Sequence, residues 1–304
     1  MDTQTDFDAL GLFEERYTAF LETIAQLRPR LHRYCARMTG SAMDGEDVMQ
    51  EALFEAYRKL DSYDESRPLN PWLFRIAHNR CIDFLRRREV RQEAEAAALE
   101  PDIVQPVDPA GPGLGRAVER LVVNLPPMER ACVLLKDIFD YSLEEIAELV
   151  DSTIGGVKAA LNRGRGKLAA LQDAPEASPP PKPNASPEML ELLRHYIDRF
   201  NRRDWEGVRE LTSADARLRV ADCFAGRLSD SPYFVEYDRP IIPWRMALGE
   251  IDGEPVVIIL NENDRATPFS LIRLRIAGEQ IIGITDYIKT PWVLAAGSVA
   301  LAAS

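Results

Sequence analysis

The 304-residue chain has few cysteines and histidines and no apolar run of membrane length. Its four cysteines are widely scattered and form no CxxC pair, which argues against a zinc site and a disulfide framework and for a reducing compartment. The longest apolar stretch, residues 292–303, is too short and too rich in alanine to span a bilayer. Acidic residues stand near the N-terminus where a secretory signal has basic ones. These absences predict a cytoplasmic protein with no membrane association, no metal and no cofactor.

The net charge is −12, but the basic residues are concentrated in two segments. Residues 72–91 hold six arginines against two acidic residues, and residues 152–172 hold four basic residues and no acidic one. Local basic stripes on an acidic chain can bind a phosphate backbone, so the total charge does not exclude a nucleic-acid partner.

Two proline-rich segments divide the chain. Residues 100–115 carry four prolines and three glycines and cannot form regular helix or strand. Residues 174–187 carry six prolines, which is typical of a stiff, extended linker. The predicted order is an N-terminal unit (1–98), a linker (99–115), a middle unit (116–172), a proline-rich linker (173–187), a C-terminal unit (188–291) and an apolar tail (292–304). The tail is expected to pack across the third unit or against the first two.

Apolar spacing predicts helices in the N-terminal and middle units. In the middle unit, Ser142 and Glu145 form a possible capping box for a short helix, and a second helix follows over residues 153–171. This arrangement has the length of a helix-turn-helix. The C-terminal unit begins with a helix and continues with hairpin signals at Asp252-Gly253 and at residues 277–279, which predicts an α+β fold.

A polar stripe runs along the helix predicted after Pro71, and it consists of Arg75, Asn79, Asp83 and Arg86. Arginine can contact phosphates, while Asn and Asp can read base edges. A solvated helix face with no ligand would show the same charges, and the stripe alone leaves that alternative open.

Two motifs of this first unit resemble region 2 of extracytoplasmic-function (ECF) sigma factors. They are E-D-V-M-Q-E at residues 46–51 and W-L-F-R-I-A-H-N-R-C-I-D-F-L-R-R-R at residues 72–88. The resemblance implies that the first motif docks on core RNA polymerase, through Asp47, Gln50, Glu51 and Phe54. It implies that the second reads the minus-ten promoter element, through Arg75, Asn79, Arg80, Asp83, Arg86, Arg87 and Arg88.

The middle unit resembles region 4 of the same family at residues 125–130 and 153–165. The resemblance implies contacts to the minus-thirty-five element from Thr153, Lys158, Asn162, Arg163, Arg165 and Lys167. Glycines in or beside the second helix, and Ala159-Ala160 where relatives carry Ser-Arg, depart from the family pattern. Recognition is therefore expected to depend on phosphate contacts and promoter shape more than on direct base contacts.

The C-terminal unit resembles SnoaL-like domains, mainly through F-N-R-R-D-W at residues 200–205. The resemblance implies a cone with a curved, mostly antiparallel sheet, and a possible pocket lined by Asp222, Tyr233, Trp244 and Tyr287. The alternative is that the aromatic residues form a core and the carboxylates lie at the surface. No residue pair has the spacing of a nucleophile and its base, so catalysis is not expected.

The sequence therefore predicts a multidomain protein with two all-α sigma domains, a region 2 helical bundle and a region 4 helix-turn-helix, followed by an α+β SnoaL-like cone. Its expected function is that of an alternative sigma factor, with core RNA polymerase and promoter DNA as partners. Its own third domain is expected to modulate that activity through a small-molecule ligand or an intramolecular contact. Two alternatives are a free-standing helix-turn-helix regulator with a ligand-sensing cone, and a SnoaL-like enzyme fused to a regulatory module.

Overall fold

The computed structural model describes residues 3–64, 66, 68–98, 124–172, 186–221, 223–238, 243–264 and 267–302. The predicted linker 99–115 lies outside the described residues, and so does most of the linker 173–187. None of the described helices is long and apolar enough to cross a membrane.

Three long helices and a short 3₁₀ turn at Leu60–Ser62 build the N-terminal unit. The helices are α1 (Thr3–Thr39), α2 (Ala42–Arg58) and α3 (Leu69–Ala98). Helix α2 is capped at its N-terminus by Ser41, whose hydroxyl accepts from the backbone N–H of Asp44 at 3.2 Å. Helices α1 and α2 cross closely at Gly45, because a Cβ there would lie 2.5 Å from the Ala36 Cα.

The middle unit confirms the predicted helix-turn-helix. It consists of α4 (Pro127–Val133), which continues as a π-helix over Leu134–Ile138, then α5 (Leu143–Leu149) and α6 (Ile154–Gln172). The capping box at Ser142 and Glu145 is present, with both reciprocal hydrogen bonds formed. One α6 glycine has a packing role, because a Cβ on Gly164 would lie 2.9 Å from Val133 Cγ2, whereas one on Gly166 would meet no atom within 4 Å.

The C-terminal unit has the predicted α+β composition. Its helices are α7 (Pro187–Asn201), α8 (Trp205–Glu210), α9 (Tyr233–Asp238) and α10 (Trp292–Ala296). Its strands are β1 (Thr212–Val220), β2 (Phe224–Arg227), β3 (Trp244–Ile251), β4 (Glu254–Asn261), β5 (Pro268–Ala277), β6 (Gln280–Asp286) and β7 (Val299–Leu301).

The strands form one sheet in the order β2-β1-β6-β5-β4-β3-β7. Strands β1 and β6 pair in parallel and all other neighbours are antiparallel, so the sheet is mixed and mostly antiparallel as expected. Asp252 and Gly253 form the predicted tight hairpin turn between β3 and β4, with φ angles of +52° and +80°. The two positive angles are those of a type I′ turn.

The two faces of this sheet are buried against different parts of the chain. The inner face packs on α7, α8 and α9 and forms the core of the C-terminal unit. The outer face carries Ile258, Leu271 and other apolar residues, which pack against Ala42 and Met43 of α2 and against Val293 of α10. The tail therefore packs against the first unit through α10, which is one of its two predicted positions, and it also extends the sheet of the C-terminal unit through β7.

The N-terminal and middle units share a single hydrophobic core. Two arginines join them in opposite directions: Arg130 of the middle unit donates to the Met38 carbonyl at the end of α1, and Arg30 of α1 donates to the Phe139 carbonyl at 2.8 Å. The Arg30 guanidinium also lies 5.6 Å from the centre of the Phe139 ring. These contacts hold the two helical units against each other.

Candidate promoter-reading and polymerase-docking surfaces

The polar stripe predicted on α3 is exposed along one face of the helix. Arg75, Asn79, Asp83 and Arg86 are all exposed and recur every three or four residues, so their side chains project from the same side. On the opposite side, Phe74 and other apolar residues are buried in the shared core. The surface can therefore meet a nucleic acid without rearrangement of the helix.

The remaining predicted minus-ten residues of α3 lie against α1 and α2. Arg80 forms an ion pair with Glu55, with 2.5 Å between Nη2 and Oε2, and Arg87 lies 3.5 Å from Glu51. Arg88 donates to the backbone carbonyl of Thr39 at 3.3 Å. Of these three arginines, Arg80 is half-buried against α2, whereas Arg87 and Arg88 remain exposed like the stripe.

Helix α2 carries a second stripe on one face, at Asp44, Asp47, Glu51, Phe54 and Arg58. We call Glu51, Phe54 and Arg58 the open half, because these side chains are exposed and the Phe54 ring is 64% accessible. The open half borders a pocket of about 370 Å³. The pocket is lined by Glu51, Phe54, Glu55, Arg58, Lys59 and Arg80.

The other end of the stripe is held by the C-terminal unit, and we call Asp44 and Asp47 the covered half. Arg219 of β1 forms an ion pair with Asp47, and Arg273 of β5 donates to Asp44 at 3.0 Å. The Arg273 guanidinium also pairs with Glu254, with 2.6 Å between Nε and Oε1. The two arginines lie on one sheet face because Arg219 and Arg273 both register with Thr285 of β6.

Further contacts close this interface around the start of α2. The Trp292 indole N–H donates to the buried Glu46 carboxylate at 2.7 Å, and Gln50 donates to the other oxygen of Glu46 at 2.8 Å. Asp252 accepts from the backbone N–H of Ala42 at 2.8 Å and from that of Ser298 at 2.8 Å. The turn between β3 and β4 thus satisfies a free N–H of the first turn of α2 and binds the tail at the same time.

Burial sets the protonation of the ionisable groups at this interface. It raises the pKa of Glu46 and that of Asp47, against the opposing effects of their hydrogen bonds and of Arg219. It lowers the pKa of His32 to about 4, so this imidazole is neutral near pH 7. The His32 Nε2 lies 2.8 Å from the Ala42 carbonyl, to which a neutral ring can donate.

Three of the six residues predicted to contact the minus-thirty-five element form ion pairs within the middle unit. Thr153, Lys158 and Asn162 are exposed, and the Thr153 hydroxyl accepts from the Gly156 N–H at 3.0 Å near the start of α6. The other three residues are basic and pair with carboxylates of α4 and of its π-helical continuation. Arg163 and Lys167 both bind Glu129, at 2.9 and 2.8 Å, and Arg165 binds Asp137 at 2.5 Å.

The predicted pocket residues of the C-terminal unit do not come together. Tyr233 and Trp244 lie in the core of the inner sheet face, whereas Tyr287 lies on the outer face in the cluster that contacts α2. Asp222 lies outside the described residues. The inner face is dense with aromatic rings around Phe200, whose ring centre is 5.0 Å from that of Tyr237.

A buried carboxylate, Asp286, lies at the end of β6 in this aromatic core. Its Oδ2 accepts from the Tyr233 hydroxyl at 2.9 Å and from the Tyr237 hydroxyl at 2.5 Å. Burial raises the pKa of Asp286. Within the described part of the chain, the buried Trp244 indole N–H has no hydrogen-bond partner.

Models of the sigma-70 family match the chain in two places. Sigma-70 region 2 matches residues 23–91, which include α2 and the stripe of α3, and Sigma-70, region 4 matches residues 115–168. The two helical units thus define a sigma-70-type factor.

Curated relatives extend this match over most of the chain. ECF RNA polymerase sigma factor SigG of Mycobacterium tuberculosis is 31% identical over 309 residues, which cover 91% of this chain and 83% of SigG. SigW of Bacillus subtilis, another ECF RNA polymerase sigma factor, is 33% identical over 162 residues, covering 49% of this chain and 87% of SigW. The chain belongs to the family of ECF RNA polymerase sigma factors.

Solved structures that match the chain include the M. tuberculosis ECF sigma factor SigJ, with a TM-score of 0.36 and 16% identity; the match covers 88% of this chain and 95% of the SigJ chain. The sigma factor RpoE of Bartonella quintana, in complex with the anti-sigma factor NepR, has a TM-score of 0.43 and 23% identity. This match covers 51% of the present chain and 98% of the RpoE chain.

The contacts of Arg219, Asp252 and Arg273 with α2 were not predicted from the sequence, whereas packing of the tail that includes Trp292 against the sigma units was one of its two expected positions. A local signal existed for two of them. Arg219 and Arg273 lie at outward positions of strands whose other side is apolar, and a charge on a sheet face that also carries Leu271 suggests a partner for that face.

Proposed function

We propose that this sigma factor directs core RNA polymerase to its promoters through the stripe of α3, which reads the minus-ten element, and through α6, which contacts the minus-thirty-five element. The observation that carries the proposal is the exposed row of Arg75, Asn79, Asp83 and Arg86 on a helix anchored through its other side. Arginines can hold the backbone of a melted strand while Asn79 and Asp83 contact its bases. The protein acts in the cytoplasm, where the polymerase is.

Core polymerase docks on the stripe of α2. The exposed Phe54 ring and the adjoining pocket supply an apolar contact, and Glu51 supplies charge at its rim. Asp47 and Gln50 extend the same surface towards the start of the helix. Family membership favours this interpretation over a free-standing regulator, which needs no such surface.

The C-terminal domain modulates the sigma activity without catalysis. It binds Asp44 and Asp47, so part of the proposed docking stripe is occupied by the chain itself. An intramolecular contact of this kind acts as a competitor that is always present at high local concentration.

Promoter reading also requires the two helical units to separate. The two promoter elements are roughly 25 base pairs apart, or about 85 Å at ~3.4 Å per base pair, whereas Arg130 touches the end of α1. The 25 residues between Ala98 and Asn124 can span about 85 Å when fully extended. The contacts of Arg30 and Arg130 therefore belong to the free protein and open on the promoter.

Arg86→Ala tests the reading surface, with Arg91→Ala as the matched control. Both arginines are exposed on α3, but Arg91 projects from another side of the helix than the stripe. We expect Arg86→Ala to weaken binding of the holoenzyme to a promoter fragment about tenfold. The slope of the logarithm of the binding constant against the logarithm of the salt concentration should decrease by roughly one released ion. Arg91→Ala should change the affinity less than twofold. Equal effects of the two substitutions would contradict the assignment of the stripe.

A further inference from the structure

The C-terminal domain covers only one end of the α2 stripe. Asp44 and Asp47 are paired with Arg273 and Arg219, and their side chains are 22% and 37% accessible. Glu51 is 51% accessible and Phe54 is 64% accessible, on the same side of the same helix. The described part of the C-terminal domain contributes no residue to the pocket beside Phe54.

The two halves are far enough apart to be occupied at the same time. An α-helix rises about 1.5 Å per residue, so Phe54 lies about 10 Å along the axis from Asp47 and Arg58 about 16 Å from it. A partner that seats an apolar side chain beside Phe54 can therefore bind before Asp47 is released.

The covered half is held by more than surface charges. Met43 and Ala42 are buried against the outer sheet face, the Trp292 indole binds the buried Glu46 carboxylate, and Asp252 caps the helix start. A domain anchored in this way is not a loose lid that opens often by itself. Removing it from α2 requires a partner that gains contacts as the domain loses them.

We propose that core RNA polymerase engages the open half of α2 first, while the C-terminal domain is still docked, and then displaces the domain from Asp44 and Asp47. The proposal rests on the proposed function, because it assumes that polymerase binds this stripe. Under this mechanism, the domain controls how long the polymerase complex lasts and has little effect on how fast it forms.

The rate constants separate this mechanism from full occlusion. If the domain had to leave before any contact formed, the association rate constant would be the intrinsic value multiplied by the fraction of molecules that are open. If the open half is always available, association is unaffected, and the tethered domain accelerates dissociation by rebinding Asp44 and Asp47.

The experiment measures association and dissociation of the full-length chain on immobilised core RNA polymerase. The test variant is the double substitution Arg219→Ala/Arg273→Ala, which removes only C-terminal-domain side chains from the interface. The matched control is Arg217→Ala/Arg275→Ala on the same strands. Both of these exposed arginines register with Gly283, on the same sheet face, and within the described residues neither forms an ion pair. Trp292→Phe serves as a second way of weakening the interface if the double variant does not fold.

We expect the test variant to dissociate about tenfold more slowly than the wild type, with an association rate constant within twofold. The control variant should match the wild type in both constants. Phe54→Ala should lower the association rate constant about tenfold in the wild-type and the test background alike.

A faster association with unchanged dissociation in the test variant would overturn the proposal in favour of full occlusion, and the modulation under the proposed function would remain. Identical constants for the test variant, the Trp292→Phe variant and the wild type would overturn both the proposal and the modulation. Absence of binding by every form would overturn the docking role of α2 itself.

Discussion

Replacing Asp286 with alanine is expected to lower the free energy of unfolding of the C-terminal domain by about 3–5 kcal/mol. The carboxylate is completely buried and accepts from the hydroxyls of Tyr233 and Tyr237. Its other oxygen accepts from the Ile288 backbone N–H at 2.9 Å. Alanine leaves the two tyrosine hydroxyls in the aromatic core without an acceptor, at a cost of roughly 1–3 kcal/mol each, and the part-buried Ile288 N–H also loses its partner.

Asp238→Ala is the matched control for this substitution. Asp238 also accepts from an aromatic side chain, the Trp205 indole N–H at 2.9 Å, but it is exposed and water can replace it. Its loss should cost less than about 1 kcal/mol. Urea denaturation followed by tryptophan emission measures both variants. A loss for Asp286→Ala as small as that for Asp238→Ala would show that the buried network contributes little.

Trp292→Phe is expected to weaken docking of the C-terminal domain on α2 by about 1.5–3 kcal/mol, or roughly 10- to 100-fold. Phenylalanine keeps most of the apolar surface but removes the indole N–H that binds Glu46. The side chain of Glu46 has no exposure to solvent, so the lost partner is not replaced by water.

Hydrogen exchange of the Ala42 amide reports the docking equilibrium, because this N–H binds Asp252 only while the domain is docked. Exchange at the start of α2 should accelerate roughly 10- to 100-fold in Trp292→Phe. Trp205→Phe removes an exposed indole hydrogen bond and should change this exchange less than threefold. Equal exchange in the two variants would show that Trp292 does not hold the domain on α2.

Features that depend on nearby residues could be predicted from the sequence. The stripe of α3 follows from helical periodicity, the start of α5 from Ser142 and Glu145, and the β3–β4 turn from Asp252-Gly253. In each case the residues that determine the feature lie within a few turns of one another, so no knowledge of the tertiary structure is needed.

Features that depend on distant residues were not predictable in the same way. Arg219 and Asp47 are separated by 172 positions, and neither residue type specifies its partner. The position of Tyr287 was not predictable either, although its neighbour in the sequence is involved. It directly follows Asp286, and because successive side chains at a strand end alternate in direction, it faces α2 while Asp286 faces the aromatic core.

The role assigned to the cations of α6 also depends on tertiary contacts. The sequence shows Arg163, Arg165 and Lys167 as a basic run without acidic neighbours. In the folded unit, Glu129 of α4 and Asp137 of its π-helical continuation pair with all three. Their contact with the minus-thirty-five element remains a prediction. It requires DNA phosphates to compete with two ion pairs to the buried Glu129 carboxylate and with one exposed ion pair to Asp137.

Run-off transcription with purified core RNA polymerase on a library of genomic fragments, read by sequencing of transcript 5′ ends, tests the central claim most directly. We expect promoter-specific transcripts that depend on the added full-length chain and that increase with Arg219→Ala/Arg273→Ala. We expect no such increase with Arg217→Ala/Arg275→Ala. Transcription that is absent or unselective with the full-length chain and with both double variants would contradict the claim that this chain directs polymerase to promoters.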